Sequence, residues 1–181
     1  LNPTKSNDGV NAVFLSGGSA YGLDCAGGIM KYLERQGKGV KVGKSIVPIV
    51  VGSCIFDLGC VDGSVRPDAD MGYAACVNAE KNMERNGNVG GGMGATVGKM
   101  HGDGSAMKSG LGCYAVQAGS VQVGAMVVVN AIGDVYEMDS TKQLAGLLDK
   151  KKEKMLNSEV EAVKLLQMMN MFGLNTTIAA I

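Results

Sequence analysis

The chain has 181 residues, with 17 basic and 17 acidic side chains and a formal charge of zero. That length suits one domain with its own core, and the charge balance exerts no overall pull toward nucleic acid or an anionic membrane. Glycine is in excess at 28 residues, against three prolines and no tryptophan, while 46% hydrophobic residues exclude a disordered composition.

The elements read as an α/β chain. Val10 to Leu15 forms a buried strand, and Ser16-Gly17-Gly18-Ser19 turns it into a helix from Ala20 to Arg35. Leu23, Ala26, Gly27, Met30 and Leu33 recur there at helical spacing, and Gly37 stops the helix. Ile46 to Val51 is a short strand containing Pro48, which favours an edge or a strand entry. Met71 to Arg85 is a second helix, capped by Asp68 or Asp70. A glycine-rich loop, Asn86 to Lys99, leads to a strand over Gly110 to Gln117 and a turn at Ala118-Gly119-Ser120. Val121 to Asn130 gives the strongest strand signal and is expected to pair beyond Gly133 with Val135 to Met138. Residues 139–157 read as a polar, exposed connection with a solvated basic run, Lys150 to Lys154. Ser158 to Phe172 is a third helix, with Ser158 as N-cap, Glu161 completing a capping box and Gly173 at its end. A strand begins at Thr176.

The five cysteines (Cys25, Cys54, Cys60, Cys76, Cys113) form no CxxC pair, and His101 is the only histidine. Structural zinc needs clustered thiolate or imidazole ligands, so neither a metal nor a cofactor is expected. The cysteines are read as small buried hydrophobes of a cytoplasmic protein. No apolar run reaches the length of a membrane helix, and the first residues lack a signal-peptide layout.

Four features could carry chemistry. Ser16-Gly17-Gly18-Ser19-Ala20-Tyr21-Gly22 sits between strand and helix, where open N–H groups form an anion or oxyanion site unless the glycines serve only a tight turn. The Gly90 to Lys99 loop could cradle a phosphate, with Lys99 or Lys108 as counter-charge, although no Ser or Thr follows the lysine as in a Walker motif. Asn130 ends an otherwise apolar strand, so its amide needs partners. It either pins the turn toward Gly133 or donates to a developing oxyanion. The Asn175-Thr176 bond is an ordinary strand entry or a self-cleavage junction. A threonine hydroxyl is a poor nucleophile without a base, and an N-terminal threonine carries its own: an α-amine with a pKa of roughly 7.7–8.0.

Taken in order, several segments resemble the DmpA family of L-aminopeptidase/D-esterases, the β-peptidyl aminopeptidases. They are Val10 to Asp24, Ile55 to Leu58, Arg66-Pro67-Asp68, Gly72 to Ala75, Gly87 to Gly90, Gly94 to Lys99, Lys108 to Gly112, Val123 to Ala131 and Asn175 to Ile178. The resemblance implies a four-layer αββα sandwich and a precursor that cuts itself into two subunits. Residues 1–175 would then be part of the large subunit and 176–181 the start of the small one, in one incomplete domain. Thr176 matches the family's nucleophile, Asn175 the residue before the cut, and Asn130 the oxyanion-stabilising asparagine. Ser16, Gly17, Gly18, Ser19 and Tyr21 match a loop that shapes the substrate pocket.

Family precursors begin with further strands and continue beyond the counterpart of Ile181, where a serine and an acidic residue join the nucleophile's amine. Some members place a tyrosine near Ser53-Cys54-Ile55, which this chain lacks. Residues 1–181 alone are therefore expected to be inactive. The activity implied is hydrolysis of N-terminal residues from short peptides, amides or esters. The partners implied are the chain's own small subunit and further copies of itself, with no nucleic acid and no membrane. An acyltransferase like ornithine acetyltransferase and a non-catalytic phosphate-binding module are the alternatives.

Overall fold

The computed structural model describes residues 9–60, 62–81, 85–166 and 176–180. Strand β1 (Ala12–Ser16) runs parallel to β4 (Val50–Cys54), with Ala12 opposite Val50 and Ser16 opposite Cys54. Parallel neighbours need a long crossover, and α1 (Cys25–Arg35) is part of it. Its Cys25, Ile29, Tyr32 and Leu33 fall on one helical face and pack against Ala12, Phe14 and Val50. The helix does not start at Ala20: Ser19–Asp24 is a 3₁₀ turn, and α geometry begins at Cys25. Positive φ angles at Gly18 and Ser19 set this tight path. Gly37, at φ +67°, follows the end of α1 as expected.

The strand expected over Ile46 to Val51 is in fact two. Strand β2 (Val40–Val42) pairs with β3 (Ser45–Val47), and β4 begins only at Val50. Pro48 falls in the break because it has no N–H to give to a ladder.

Helix α2 (Ala69–Ala79) is capped by Asp68, whose carboxylate accepts the Met71 N–H at 2.8 Å. It stops well short of Arg85. Helices α1 and α2 meet backbone to backbone, with Gly28 against the Ala69 carbonyl and Gly72 against that of Cys25. A Cβ at either position would overlap main-chain atoms.

Strands β5 (Thr96–Val97) and β6 (Met107–Lys108) form a short antiparallel pair. Strands β7 (Leu111–Ala118) and β8 (Val121–Asn130) form a long hairpin turning at Gly119, φ +60°. The expected return of β8 onto Val135 to Met138 does not occur. Strand β9 (Val135–Tyr136) pairs with β10 (Gln143–Ala145), while the free edge of β8 takes β11 (Thr176–Ala180). The sheet order is β11-β8-β7, antiparallel throughout. A second core cluster, Ile55, Ala95 and Val128 with Leu15 and Leu111, ties this sheet to the end of β1.

The connection over 139–157 is less exposed than its polarity suggests. It contains β10 and the fully buried Leu147, although Lys150 to Lys154 face solvent as expected. Helix α3 (Ser158–Leu166) has a different cap from the one expected. Asn157 Oδ1 accepts the Val160 N–H at 3.0 Å, while Ser158 gives both its N–H and its hydroxyl to Asp134. Glu161 closes no capping box; it pairs with His101 and Lys164. The expected end of this helix, Phe172 and Gly173, lies outside the described residues.

The architecture is mixed α/β. Of the cysteines only Cys25 is buried, and the other four are partly exposed; all five are free thiols. No helix among the described residues is long and apolar enough to cross a membrane.

Candidate active site

Asn130, the last residue of β8, has no solvent exposure at all. Its Oδ1 accepts the Thr96 backbone N–H at 3.1 Å and the Lys99 ammonium at 2.5 Å. Its Nδ2 donates to the Phe56 carbonyl at 2.8 Å. Lys99 Nζ also reaches the Asn130 main-chain carbonyl, at 3.2 Å. The two donors on one side and the carbonyl on the other fix which way the amide points. The side chain therefore does not pin the Gly133 turn. An amide nitrogen carries two protons, and Phe56 takes one, leaving the second for another acceptor. An ammonium on Oδ1 polarises the amide and makes that remaining N–H a better donor.

Lys99 is half-buried, and burial pulls its pKa below the ordinary lysine value, against the opposing influence of Cys60, Asp103 and Asp57. Its bonds are to Asn130, and those of Lys108 are to the Met93 carbonyl, so both lysines expected as phosphate counter-charges are engaged internally.

The glycine loop after β1 also departs from an open anion site. Gly18 N–H donates to Asp57 Oδ1 at 2.7 Å, and Ser19 N–H to the Ile55 carbonyl at 3.0 Å. Two of its amides are thus satisfied by the protein, one of them by a carboxylate that would repel phosphate. Ser16 Oγ donates to the Gly17 carbonyl, and the Tyr21 ring lies 3.7 Å beneath the Arg66 guanidinium. Ser16, Gly17, Gly18 and Asp57 line a cavity of about 550 Å³; Ser19 and Tyr21 lie outside its lining.

Strand β11 starts at Thr176, and the register sets Thr176 directly opposite Asn130. Asn175 lies outside the described residues. Burial raises the pKa of the Cys25 and Cys54 thiols, which keeps them protonated and makes them poor nucleophiles. Among the described residues no three His, Cys, Asp or Glu side chains gather as metal ligands.

The sequence profile of Peptidase family S58 matches residues 2–181, and the chain belongs to that family. It is 41% identical to an uncharacterized aminopeptidase of Mycobacterium leprae over 76% of this chain and 38% of the relative. A second uncharacterized aminopeptidase, from Mycobacterium tuberculosis, is 42% identical over the same shares. A 6-aminohexanoate-oligomer endohydrolase of Paenarthrobacter ureafaciens is 30% identical over 72% of this chain and 36% of its own length. The chain thus spans little more than a third of the curated relatives it matches.

Three groups of this site were missed or misread in the sequence. Lys99, a phosphate counter-charge by its place in the glycine-rich loop, bonds instead to Asn130. The Phe56 carbonyl is a backbone group and leaves no composition signal. Asp57 was visible only as part of Phe56-Asp57-Leu58, an acid embedded in an apolar run, which itself demands a partner.

Proposed function

We propose that this chain is part of a self-processing hydrolase in which Thr176 attacks its own preceding peptide bond and then serves as an N-terminal nucleophile. The observation that carries this reading is the register of β11 on β8, which opposes Thr176 to Asn130. Directly opposed residues in an antiparallel pair have Cα atoms roughly 4.5–5.5 Å apart. That separation suits a nucleophile and the donor that holds its tetrahedral oxygen.

In the first stage the Thr176 hydroxyl oxygen bonds to the Asn175 carbonyl carbon, and the carbon–nitrogen bond breaks as the proton passes to the amine. Water then hydrolyses the ester, leaving an Asn175 carboxylate and a free Thr176 amine. In the second stage that amine takes the hydroxyl proton while the hydroxyl attacks a bound substrate, and returns it to the leaving group; water then hydrolyses the ester on Thr176, releasing the acyl part as a carboxylate and restoring the hydroxyl. Asn130, polarised by Lys99, holds the oxyanion in both stages.

Membership of Peptidase family S58 and the aminopeptidase names of the mycobacterial relatives support release of N-terminal residues from short peptides, amides or esters. The four-layer αββα sandwich, a large subunit ending at Asn175, a cytoplasmic location and assembly with further copies belong to the same reading. Intact mass of the full-length protein tests it: two fragments divided at the 175/176 bond are expected, and a single uncut species contradicts it.

A further inference from the structure

The carboxylate of Asp57 is 4% exposed, yet the described residues give it a single hydrogen bond, from Gly18 N–H to Oδ1. Gly17 and Gly94 press against its other oxygen, and a Cβ on either would run into Oδ2. No described cation pairs with it, since the ion pairs among these residues are His101–Glu161, Lys142–Glu137 and Lys164–Glu161. Arg66, on the same cavity, is turned to the Tyr21 ring and the Gly63 carbonyl, and Lys99 is held by Asn130. Burying a carboxylate with one hydrogen bond and no counter-charge is costly. Such a group is matched to a cation that comes and goes.

The cavity that Asp57 lines is otherwise walled largely by hydrocarbon, including Phe14, Ile29, Met71 and Met93. An anionic floor within apolar walls suits a primary ammonium joined to an apolar side chain, and it disfavours phosphate. The place is also right. Asp57 follows Phe56, whose carbonyl holds the Asn130 amide, and adjacent Cα atoms are only about 3.8 Å apart. Gly94 stands two residues before Thr96, the donor to Asn130 Oδ1. Strand β1, whose Phe14, Leu15 and Ser16 line the cavity, lies beside β11. We propose that Asp57 binds the free α-ammonium of the substrate while the apolar walls take its first side chain. This rests on the hydrolase reading and deepens it: the cavity selects the amino terminus of a chain with an apolar first residue.

The test measures binding without turnover. Full-length protein carrying Thr176→Ala is titrated calorimetrically with leucinamide and with 4-methylpentanamide, the same molecule without its amine. Leucinamide is expected to bind at least tenfold more tightly, and Asp57→Asn should erase that preference. The asparagine keeps an oxygen for Gly18 N–H, and the titrations without it already decide the matter if the variant fails to fold. Equal affinity for the two amides, no binding of either, or a preference that survives Asp57→Asn each overturns the proposal. Because the readout needs no cleavage, an uncut Thr176 protein sinks the hydrolase reading without touching this result. Absence of an ammonium preference in the Thr176→Ala protein, when the Thr176 protein does cut itself, sinks the ammonium site alone.

Discussion

Thr176 stands directly opposite Asn130 where β11 pairs with β8, so residues 46 positions apart in sequence meet across one antiparallel ladder. The pairing joins the start of one strand to the end of another. Asn130 is held at that end by Thr96, Lys99 and Phe56, all from earlier segments of the chain. A donor fixed from three directions pays little reorganisation when charge develops nearby.

Asn130→Asp removes the amide donor while keeping the acceptor contacts. The carboxylate still accepts from Thr96 and Lys99 but offers no amide N–H to an oxyanion or to Phe56. Self-cleavage is expected to slow by about 10²–10³-fold, followed as loss of the uncut species over time. Asn130→Ala leaves the buried Thr96 N–H and the part-buried Phe56 carbonyl without their side-chain partner. It should lower stability by about 1–3 kcal/mol for each such group, read from denaturant melts.

Lys99 gives a pH signature. Its pKa is lowered by burial from 10.5. Between that lowered value and 10.5 the native protein binds fewer protons than the unfolded chain, so stability rises with pH across the window. This contribution is complete above the unfolded value and is lost as pH falls through the folded one. Lys99→Met removes it, so wild-type stability minus that of the variant should climb as pH rises from the lowered folded value toward 10.5. A flat difference across that range would show that the lysine's burial has no energetic weight.

Asp134 anchors the start of α3, accepting from Ser158 N–H at 2.7 Å, Ser158 Oγ at 2.6 Å and Leu147 N–H at 2.9 Å. Asp134→Ala strands both backbone donors and should cost about 1–3 kcal/mol. Hydrogen exchange should accelerate first at Leu147 and Ser158, ahead of the β7–β8 hairpin.

Local signals carried the strands and helices well. The valine-rich run to Asn130, the Gly119 turn and the Asp68 cap are all short-range features, and each stands where its residues indicate. Errors arose where a distant partner decided the outcome. The β8 edge went to β11 rather than to its sequence neighbour, and Ser158 answered to Asp134 rather than capping its own helix. The need of Asn130 for partners was legible from its apolar surroundings, whereas the identity of those partners was not. Lys99 and Phe56 are brought to it by tertiary packing, and no periodicity in the chain encodes that meeting.

In the proposed mechanism the bond before Thr176 breaks by attack of the Thr176 hydroxyl. Intact-mass spectrometry of the full-length protein, alongside Thr176→Ala and Thr176→Ser, tests it most directly. Two fragments divided at the 175/176 bond are expected for threonine, the same fragments for serine, and one uncut species for alanine. A Thr176→Ala protein that still divides at that bond would contradict it.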